Sequence, residues 1–276
     1  MSKGKGHYKE TIIDDAPVKV FTATNTAMLE YPYVLGRPEE SSPTLAAQSR
    51  EYILDSGIGN EDLTNEDILS RAHDLPADSV VPKDAIDDPS TTSDAVIEMV
   101  EMVDDTDVII PLQSDGETTR VNHYYTLRDA LQSLGYDITN YTIAIGGVND
   151  VPVMKQIREA VKLRTAVDDD INIHMFGCGI NREWVVAIRK WNGLIDQLDT
   201  SSVYKYVNNG SILDCEMKVR DYKMARGANS TCLYTMQRET TLYMFNHAIG
   251  PHANAKDVPI EFSDPELSEL FSTHGH

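Results

Sequence analysis

The chain has few of the features that mark secreted, disulfide-stabilised or membrane-spanning proteins. Its 276 residues contain only three cysteines, Cys178, Cys215 and Cys232, which are widely spaced and form no CxxC pair. A disulfide framework and a zinc knuckle are therefore not expected. No stretch approaches the roughly 20 apolar residues that a transmembrane helix needs. The polar, Lys-rich segment 1–10 does not resemble a secretory signal. We expect a cytoplasmic protein with no membrane partner.

Basic residues are also scarce, with 24 lysines and arginines against 44 aspartates and glutamates and a net charge of −20. The acidic residues lie along the whole chain, which indicates a heavily hydrated surface rather than one acidic tail. At about 1 M salt the Debye length falls to about 3 Å, which screens the self-repulsion of such a surface. We interpret the charge as that of a protein from a salt-accumulating halophile, or from a virus acting in the cytoplasm of one. The alternative is an acidic mesophilic protein.

Short apolar runs rich in β-branched residues alternate with helix-like segments along most of the chain, which predicts parallel strands joined by helices. The runs recur about every 30 residues, the length of one unit in an eight-unit barrel of about 250 residues. The sequence therefore predicts an α/β protein, a (β/α)8 TIM barrel forming a single domain over 1–276, with 1–17 and 250–276 peripheral. The predicted strands are Val18–Ala23, Tyr52–Leu54, Ser79–Pro82, Val108–Leu112, Tyr141–Ile145, Ile171–Phe176 and Leu194–Leu198.

Other segments have less regular patterns. Residues 24–50 contain three prolines and are predicted to be a long loop. Residues 200–232 are rich in Ser, Asn and Gly and are predicted to be a loop or an insertion. The eighth strand is assigned either to Leu233–Met236 or to Leu242–Phe245, because both are short apolar runs.

Three helix starts have local signals. Thr91, Thr92 and Ser93 offer N-caps for a helix over the following residues. Pro152 suits the first turn of the next predicted helix, where a missing N–H is harmless. Asn181 is predicted to cap the helix that contains Trp184.

Polar residues and glycines stand where the predicted strands end. They are Asp55, Asp84, Gln113, Gly146, Gly147, Gly177, Gly179 and Asp199. In a barrel of this class the chemistry lies at the carboxyl ends of the strands, so these residues are expected to converge on one mouth. Each has an ordinary interpretation when taken singly. Asp55 fits a turn, Asp199 a helix cap, Asp84 an ion pair and Gln113 a loop-capping amide.

Taken in order, these segments resemble the tRNA-guanine transglycosylase superfamily. That superfamily includes queuine and archaeosine tRNA transglycosylases and 7-deazaguanine DNA-modifying relatives. The similarity covers roughly residues 50–210. Leu54–Gly57 is similar to the family's LDSG segment, and Asp196–Ser202 is similar to the segment that holds the nucleophile. The resemblance implies that Asp199 is the nucleophile and that Asp55 is the general acid/base.

The resemblance also implies a set of base-binding residues. The segments that carry it are Leu54–Gly57, Val80–Asp84, Pro111–Gln113, Ala144–Gly147 and His174–Gly179. The implied base-binding residues are Ser56, Asp84, Gln113, Gly146, Gly147 and Phe176. Asp84 would bind the Watson–Crick edge, Gln113 would contact the base and the Gly147 amide would meet its carbonyl oxygen. Phe176 would pack on the base.

The implied activity is exchange of guanine for a free 7-deazaguanine base in nucleic acid, through a covalent aspartyl–sugar intermediate. The family's CxCxxC-plus-His zinc motif is missing, and no segment resembles its C-terminal RNA-binding domain. DNA is therefore favoured over tRNA as the polymer. No cofactor is expected with certainty. Zinc has only weak candidate ligands, which are Cys215, Cys232, His247 and His252, and buried thiols with surface histidines are the simpler interpretation.

Other interpretations stay open at this point. The same carboxylates would serve a barrel glycosidase or nucleosidase that hydrolyses its substrate. A non-catalytic paralogue would bind nucleic acid, or a partner subunit, without chemistry. An unrelated barrel enzyme with coincidental motifs is a further alternative. The sequence is also compatible with either a monomer or a homodimer.

Overall fold

A closed barrel of eight parallel strands forms the centre of the protein in a computed structural model. The structure describes residues 10–23, 31–39, 42–57, 63–148, 151–214, 217–221, 230–251, 253 and 261–274. The barrel strands follow one another around the barrel in chain order. They are β1 (Lys19–Ala23), β2 (Tyr33–Gly36), β3 (Glu51–Leu54), β4 (Ser79–Val80), β5 (Asp107–Leu112), β6 (Thr142–Ile145), β7 (Ile173–Met175) and β8 (Gln197–Thr200). The predicted (β/α)8 class is confirmed.

Helices lie between the strands and after the barrel. They are α1 (Pro43–Gln48), α2 (Asn65–Asp74), α3 (Pro89–Met102), α4 (Arg120–Ser133), α5 (Val153–Arg164), α6 (Arg182–Lys190), α7 (Ser202–Asn208), α8 (Ser230–Ile249) and α9 (Pro265–His274). A 3-10 turn, Ile138–Asn140, precedes β6. None of the helices described is long and apolar enough to cross a bilayer.

Closure of the barrel depends on pairing between the first strand and the last. Phe21 of β1 lies opposite Asp199 of β8, and Val20 lies opposite Leu198. The strands are buried on both sides, because helices cover the outside and side chains fill the inside, and they read as near-continuous apolar runs for that reason. Val20, Ile143 and Ile173 are fully buried examples.

Of two predicted helix caps, the structure confirms one and contradicts the other. Asn181 caps α6 as predicted, since its side chain accepts a hydrogen bond from the Trp184 N–H at 3.1 Å. The predicted caps Thr91–Ser93 are wrong. Asp88 caps α3 instead, by accepting from the Thr91 N–H at 2.9 Å, and Pro89 occupies the first turn. The helix thus begins earlier, at the aspartate–proline pair that favours a helix start.

The predicted long loop over 24–50 is wrong for two of its parts. Residues 33–36 form β2, and residues 43–48 form α1. The strand is fully buried, and Val34 and Leu35 pair with both β1 and β3. Prolines on both sides of this short run obscured the strand in the sequence. Pro32 and Pro38 both lie outside it, so neither removes an N–H donor from the strand.

The predicted eighth strand is wrong as a consequence. Leu233–Met236 and Leu242–Phe245 both lie within α8, so neither is a strand. The barrel already has eight strands, because β2 supplies the missing one and the run assigned to Leu194–Leu198 is the last. That strand runs over Gln197–Thr200, three residues later than predicted at its start. Asp199 therefore lies inside the last strand rather than after it.

The segments after the barrel contain more regular secondary structure than the sequence predicted. Residues 200–232, predicted as a loop or an insertion, contain α7 and a two-stranded antiparallel sheet of β9 (Ser211–Leu213) and β10 (Val219–Asp221). Within the predicted peripheral segment 250–276, α9 packs on the outer helices. Its Phe271 ring lies 6.3 Å from that of Trp191, and Glu266 pairs with Arg158 of α5.

Candidate active site

The strand register brings the predicted site residues to one end of the barrel. The Asp55 N–H donates to the Gly36 carbonyl at 2.8 Å, which continues the β2–β3 pairing by one residue. The Gly146 N–H donates to the Leu112 carbonyl at 3.1 Å in the same way. Asp55 and Asp199 approach this mouth from different arcs of the barrel, since β1 and β2 lie between β8 and β3.

Asp199 is held by donors from β7 and the loop that follows it. It is only 5 % exposed, and its Oδ1 accepts a hydrogen bond from the Gly177 N–H at 2.9 Å. His174 Nε2 lies 3.3 Å from the same oxygen. Gly177 has φ +61°, a left-handed conformation that glycine adopts without strain, and it turns this N–H toward the carboxylate. The aspartate is therefore fixed in orientation.

Asp55 has the electrostatic properties of an acid that keeps its proton near neutrality. The pKa of Asp55 is raised from 3.8 to about 7. Burial is the largest cause, and the negative charges of Asp199 and Asp84 contribute the rest of the rise. A hydrogen bond from the Gly57 backbone and the positive charge of Arg37 oppose the rise. The three carboxyl groups thus act on one another at the mouth, which is the coupling expected when like charges share a site.

Asp84 and Gln113 form a second polar pair at the mouth. Gln113 Nε2 donates to Asp84 Oδ2 at 2.5 Å. Burial raises the pKa of Asp84, while this hydrogen bond opposes the rise. Gln113 is fully buried, and its Oε1 has no hydrogen-bond partner among the residues that the structure describes. An unsatisfied buried amide oxygen is unfavourable unless another group fills it, so this oxygen is available to a ligand donor.

His123 fixes the backbone from which Gln113 projects. The Gln113 N–H donates to His123 Nδ1 at 2.9 Å, and His123 Nε2 lies 2.9 Å from Ser93 Oγ. Burial holds the pKa of His123 below its ordinary value, against the hydrogen bond to Gln113, and the charge of Arg120 lowers it further. The neutral ring with its proton on Nε2 satisfies both contacts, because Nδ1 then accepts and Nε2 donates.

The Gly146–Gly147 pair makes room for the Gln113 side chain. A Cβ on Gly146 would lie 2.6 Å from Gln113 Nε2, and one on Gly147 would lie 2.8 Å from Oε1. Arg120 anchors the pair by donating from Nε and Nη2 to the Gly146 carbonyl at 3.1 and 2.8 Å. The resemblance implied that these glycines contact the base. In the structure the Gln113 amide lies beside both glycines, so a side chain at either position would displace it.

Phe176 and Ser56 complete the predicted set. Phe176 is partly exposed, and its ring centroid lies 4.6 Å from that of His174. Ser56 is buried, and its Oγ finds no hydrogen-bond partner in the described part of the chain. The structure thus places all eight predicted site residues after or at the ends of barrel strands. Phe176 lies beside Asp199 through their shared neighbour His174, and Asp84 and the two glycines lie beside Gln113.

The weak zinc candidates cannot be assembled from the described residues. Cys215, His252 and the side chain of Cys232 lie outside them, and His247 lies on α8. The described residues contain no cluster of three or more His, Cys, Asp or Glu side chains that could hold a metal ion.

Several site residues were missed by the sequence argument. His174 and His123 contact Asp199 and Gln113, and Arg120 orients the glycine pair. His174 had a usable signal, because it stands two residues before Phe176 and so faces the same side of a strand. The other two lie on α4, the helix that follows β5, and only the folding of that helix onto the strand brings them to the site.

Comparison with known proteins does not assign the chain to a family. No protein-family model matches the sequence, and no curated protein matches it.

Proposed function

We propose that the chain is a base-exchange transglycosylase that replaces guanine by a 7-deazaguanine in nucleic acid, with DNA the favoured polymer. One observation carries the proposal. A carboxyl group with a pKa of about 7, Asp55, shares the barrel mouth with a second carboxylate, Asp199, that is held by hydrogen bonds. An acid and a fixed nucleophile are the two groups that cleavage of a glycosidic bond with a covalent intermediate requires.

In the first step, the Asp199 carboxylate forms a bond to C1′ of the target nucleotide as the C1′–N9 bond breaks. The electron pair of the broken bond leaves with guanine, which takes a proton from Asp55. Positive charge develops at C1′ in the transition state, as in other glycosidic cleavages, and the negative charge of Asp199 stabilises it. The sugar is then esterified to Asp199, and Asp55 is ionised.

In the second step, the incoming 7-deazaguanine gives its N9 proton to Asp55 and forms a bond to C1′, which releases Asp199. Two displacements at the same carbon retain its configuration. A pKa of about 7 suits Asp55 for both steps, because the group both holds and releases a proton near neutrality.

The base-binding groups follow from the second polar pair. Asp84 keeps one oxygen beside the Gln113 amide and has a second oxygen for the N1–H and N2–H groups of the purine. Gln113 Oε1 offers another acceptor, and the Gly147 N–H is assigned to O6. Phe176 packs on the face of the ring, and Ser56 adds a hydroxyl beside Asp55. The target nucleotide must leave the base stack to reach such a mouth.

The charge of the chain bears on the polymer that it binds. A net charge of −20 opposes approach to a polyanion at low salt, whereas molar salt screens the repulsion. This supports the interpretation of the chain as a halophilic or haloviral protein that works in concentrated salt.

Salt should accordingly stabilise the fold. We expect the midpoint of thermal unfolding to rise by about 10 °C or more between 0.1 and 2 M KCl, since screening removes repulsion among the 44 acidic groups. Differential scanning calorimetry measures the shift. The same series with a neutral osmolyte controls for excluded volume, and equal midpoints at both KCl concentrations would contradict the halophilic interpretation.

Incorporation of a labelled base tests the proposed activity directly. The chain is incubated in molar KCl with isotopically labelled 7-cyano-7-deazaguanine or 7-aminomethyl-7-deazaguanine, and with either duplex DNA or tRNA. We expect labelled deazaguanine nucleoside in the digested DNA, detected by mass spectrometry, and an equal amount of free guanine. The Asp199→Asn protein is the matched control and should incorporate none.

The outcomes of this experiment separate the alternatives. Label in tRNA alone would show that the protein modifies tRNA and not DNA. Release of free guanine without incorporation indicates a hydrolase, and binding of polymer without release indicates a non-catalytic paralogue. Either of the last two results overturns the proposed exchange.

A further inference from the structure

His174 contacts the proposed nucleophile from the neighbouring strand. It is fully buried on β7 and lies against two side chains of the neighbouring strand β8. Its Nε2 is 3.3 Å from Asp199 Oδ1, and its Nδ1 is 3.2 Å from Gln197 Oε1. Asp199 and Gln197 are two residues apart on one strand, so both project to the side that His174 faces.

The chemistry of the two partners fixes where the ring must carry a proton. The amide of Gln197 can present either its oxygen or its amino group to Nδ1 by a half-turn. A carboxylate can only accept, so a hydrogen bond between Nε2 and Asp199 Oδ1 requires a proton on Nε2 in either case. His174 is therefore a hydrogen-bond donor to Asp199, whatever the orientation of Gln197.

This donor and the Gly177 N–H converge on the same carboxylate oxygen. Both contacts end on Oδ1, at 3.3 and 2.9 Å. Among the described residues, none donates to Oδ2. The two oxygens are thus unequal, because the lone pairs of Oδ1 are engaged while those of Oδ2 remain available.

The surroundings of His174 protect this arrangement from water. The ring centroid of Phe21 lies 5.9 Å from that of His174 on one side, and the ring of Phe176 lies 4.6 Å away on another. A water molecule is therefore poorly placed to replace the imidazole as a donor. In such an apolar setting a hydrogen bond to a charged oxygen is stronger than in water.

We propose that His174 is a positioning residue. It holds Oδ1 of Asp199 by a hydrogen bond, so that Oδ2 is the atom that attacks C1′. The inference rests on the proposed function for its reaction, but its hydrogen bond is testable without it. In the step concerned, an Oδ2 lone pair forms the bond to C1′. The C1′–N9 electron pair leaves with the base, and Asp55 supplies the proton that the base needs. His174 keeps its own proton throughout.

Two substitutions of similar size separate positioning from packing. In His174→Gln the side-chain amide nitrogen has the same reach from the backbone as Nε2 and can donate, whereas His174→Leu fills the space without a donor. We expect His174→Leu to slow formation of the covalent nucleic acid–enzyme adduct by about 10- to 100-fold, the effect of losing one hydrogen bond to a charged group. The KM for the incoming base should stay unchanged. His174→Gln should restore most of the rate.

Nitrogen-15 NMR of the imidazole rings tests the hydrogen bond in the absence of any reaction. We expect a proton-bearing Nε2 signal that is missing from the His174→Gln spectrum and that shifts in Asp199→Asn. If the wild-type protein forms no adduct, the proposed function fails, but the spectrum still tests the hydrogen bond from His174 to Asp199. A His174 ring without a proton on Nε2, or an adduct rate in His174→Leu equal to that of the wild type, would overturn the inference.

Discussion

Replacement of Asp199 by asparagine should lower the rate of base exchange by at least about 10³-fold, because an amide cannot form the sugar ester that the two-step reaction requires. The change is isosteric. The asparagine oxygen can still accept from the Gly177 N–H, which lies 2.9 Å from Oδ1 in the structure, so the barrel should fold normally. Single-turnover release of labelled guanine measures the rate, and denaturing electrophoresis measures the adduct.

Asp196 provides the matched control for this substitution. It immediately precedes β8, at the end of the strand away from the mouth, and its Oδ2 accepts from Arg164 Nη2 at 2.7 Å and from the Ile173 N–H at 2.8 Å. Asp196→Asn weakens a hydrogen-bonded ion pair to a nearly buried guanidinium, so it should lower stability by about 1–3 kcal/mol and leave the turnover of folded protein unchanged. Comparable losses of turnover in both variants would remove Asp199 from the chemistry.

Replacement of Asp55 by asparagine should lower the rate of base release by about 10²- to 10⁴-fold and abolish its dependence on pH near neutrality. In the wild type, the pKa of about 7 keeps Asp55 protonated below that pH, so the acid is available there and is lost above it. We expect the single-turnover rate of guanine release to fall about tenfold per pH unit above about 7. Rates measured from pH 5 to 9 in both proteins test this.

Asp84→Asn distinguishes this assignment from a pH effect arising elsewhere. The negative charge of Asp84 raises the pKa of Asp55, and its removal should therefore move the descending limb of the profile to lower pH. Base binding should weaken as well, and saturating base separates that effect from the shift. A limb that stays in place in Asp84→Asn and persists in Asp55→Asn would show that another group titrates.

The raised pKa of Asp55 also predicts a stability effect of definite sign. The folded state binds the Asp55 proton more tightly than the unfolded state, so its contribution is present below pH 3.8 and is lost as the pH rises through about 7. At pH 8 the wild type should be less stable than Asp55→Asn by up to about 4 kcal/mol, while the two should be similar at pH 4. Chemical denaturation at both values measures the difference, and a variant that is less stable at pH 8 would contradict the assigned shift. Such a gain in stability with loss of activity is typical of a residue kept for function.

The strand β2 is the barrel element that the sequence pattern did not predict. The barrel class followed from the recurrence of apolar runs about every 30 residues, which is a property of the chain alone. Tyr33–Gly36 interrupts that recurrence, because it lies close to β3 and is flanked by prolines. Its strand character depends on pairing with β1 and β3, which no local pattern reveals. The misassigned eighth strand followed from that one omission, and Leu242 and Phe245 are buried as helix residues of α8 rather than as a strand.

The candidate site likewise has features that the sequence predicts and features that it does not. Strand ends in a parallel barrel all point to one mouth, so the convergence of Asp55, Asp84, Gln113 and Asp199 was predictable from their places in the chain. Their properties were not, because a pKa or a donor depends on neighbours that are distant in sequence. His174 lies 25 residues from Asp199, and the Gln113 amide donates to an oxygen 29 residues away.

The sequence by itself determined the barrel class, the acidic surface and the order in which polar residues arrive at the mouth, since each is a local or compositional property. Only the tertiary structure decided which strand closes the barrel, which oxygen of Asp199 is engaged and why Asp55 keeps its proton to about pH 7. These features depend on burial and on charged groups from separate strands, which come together only when the chain folds.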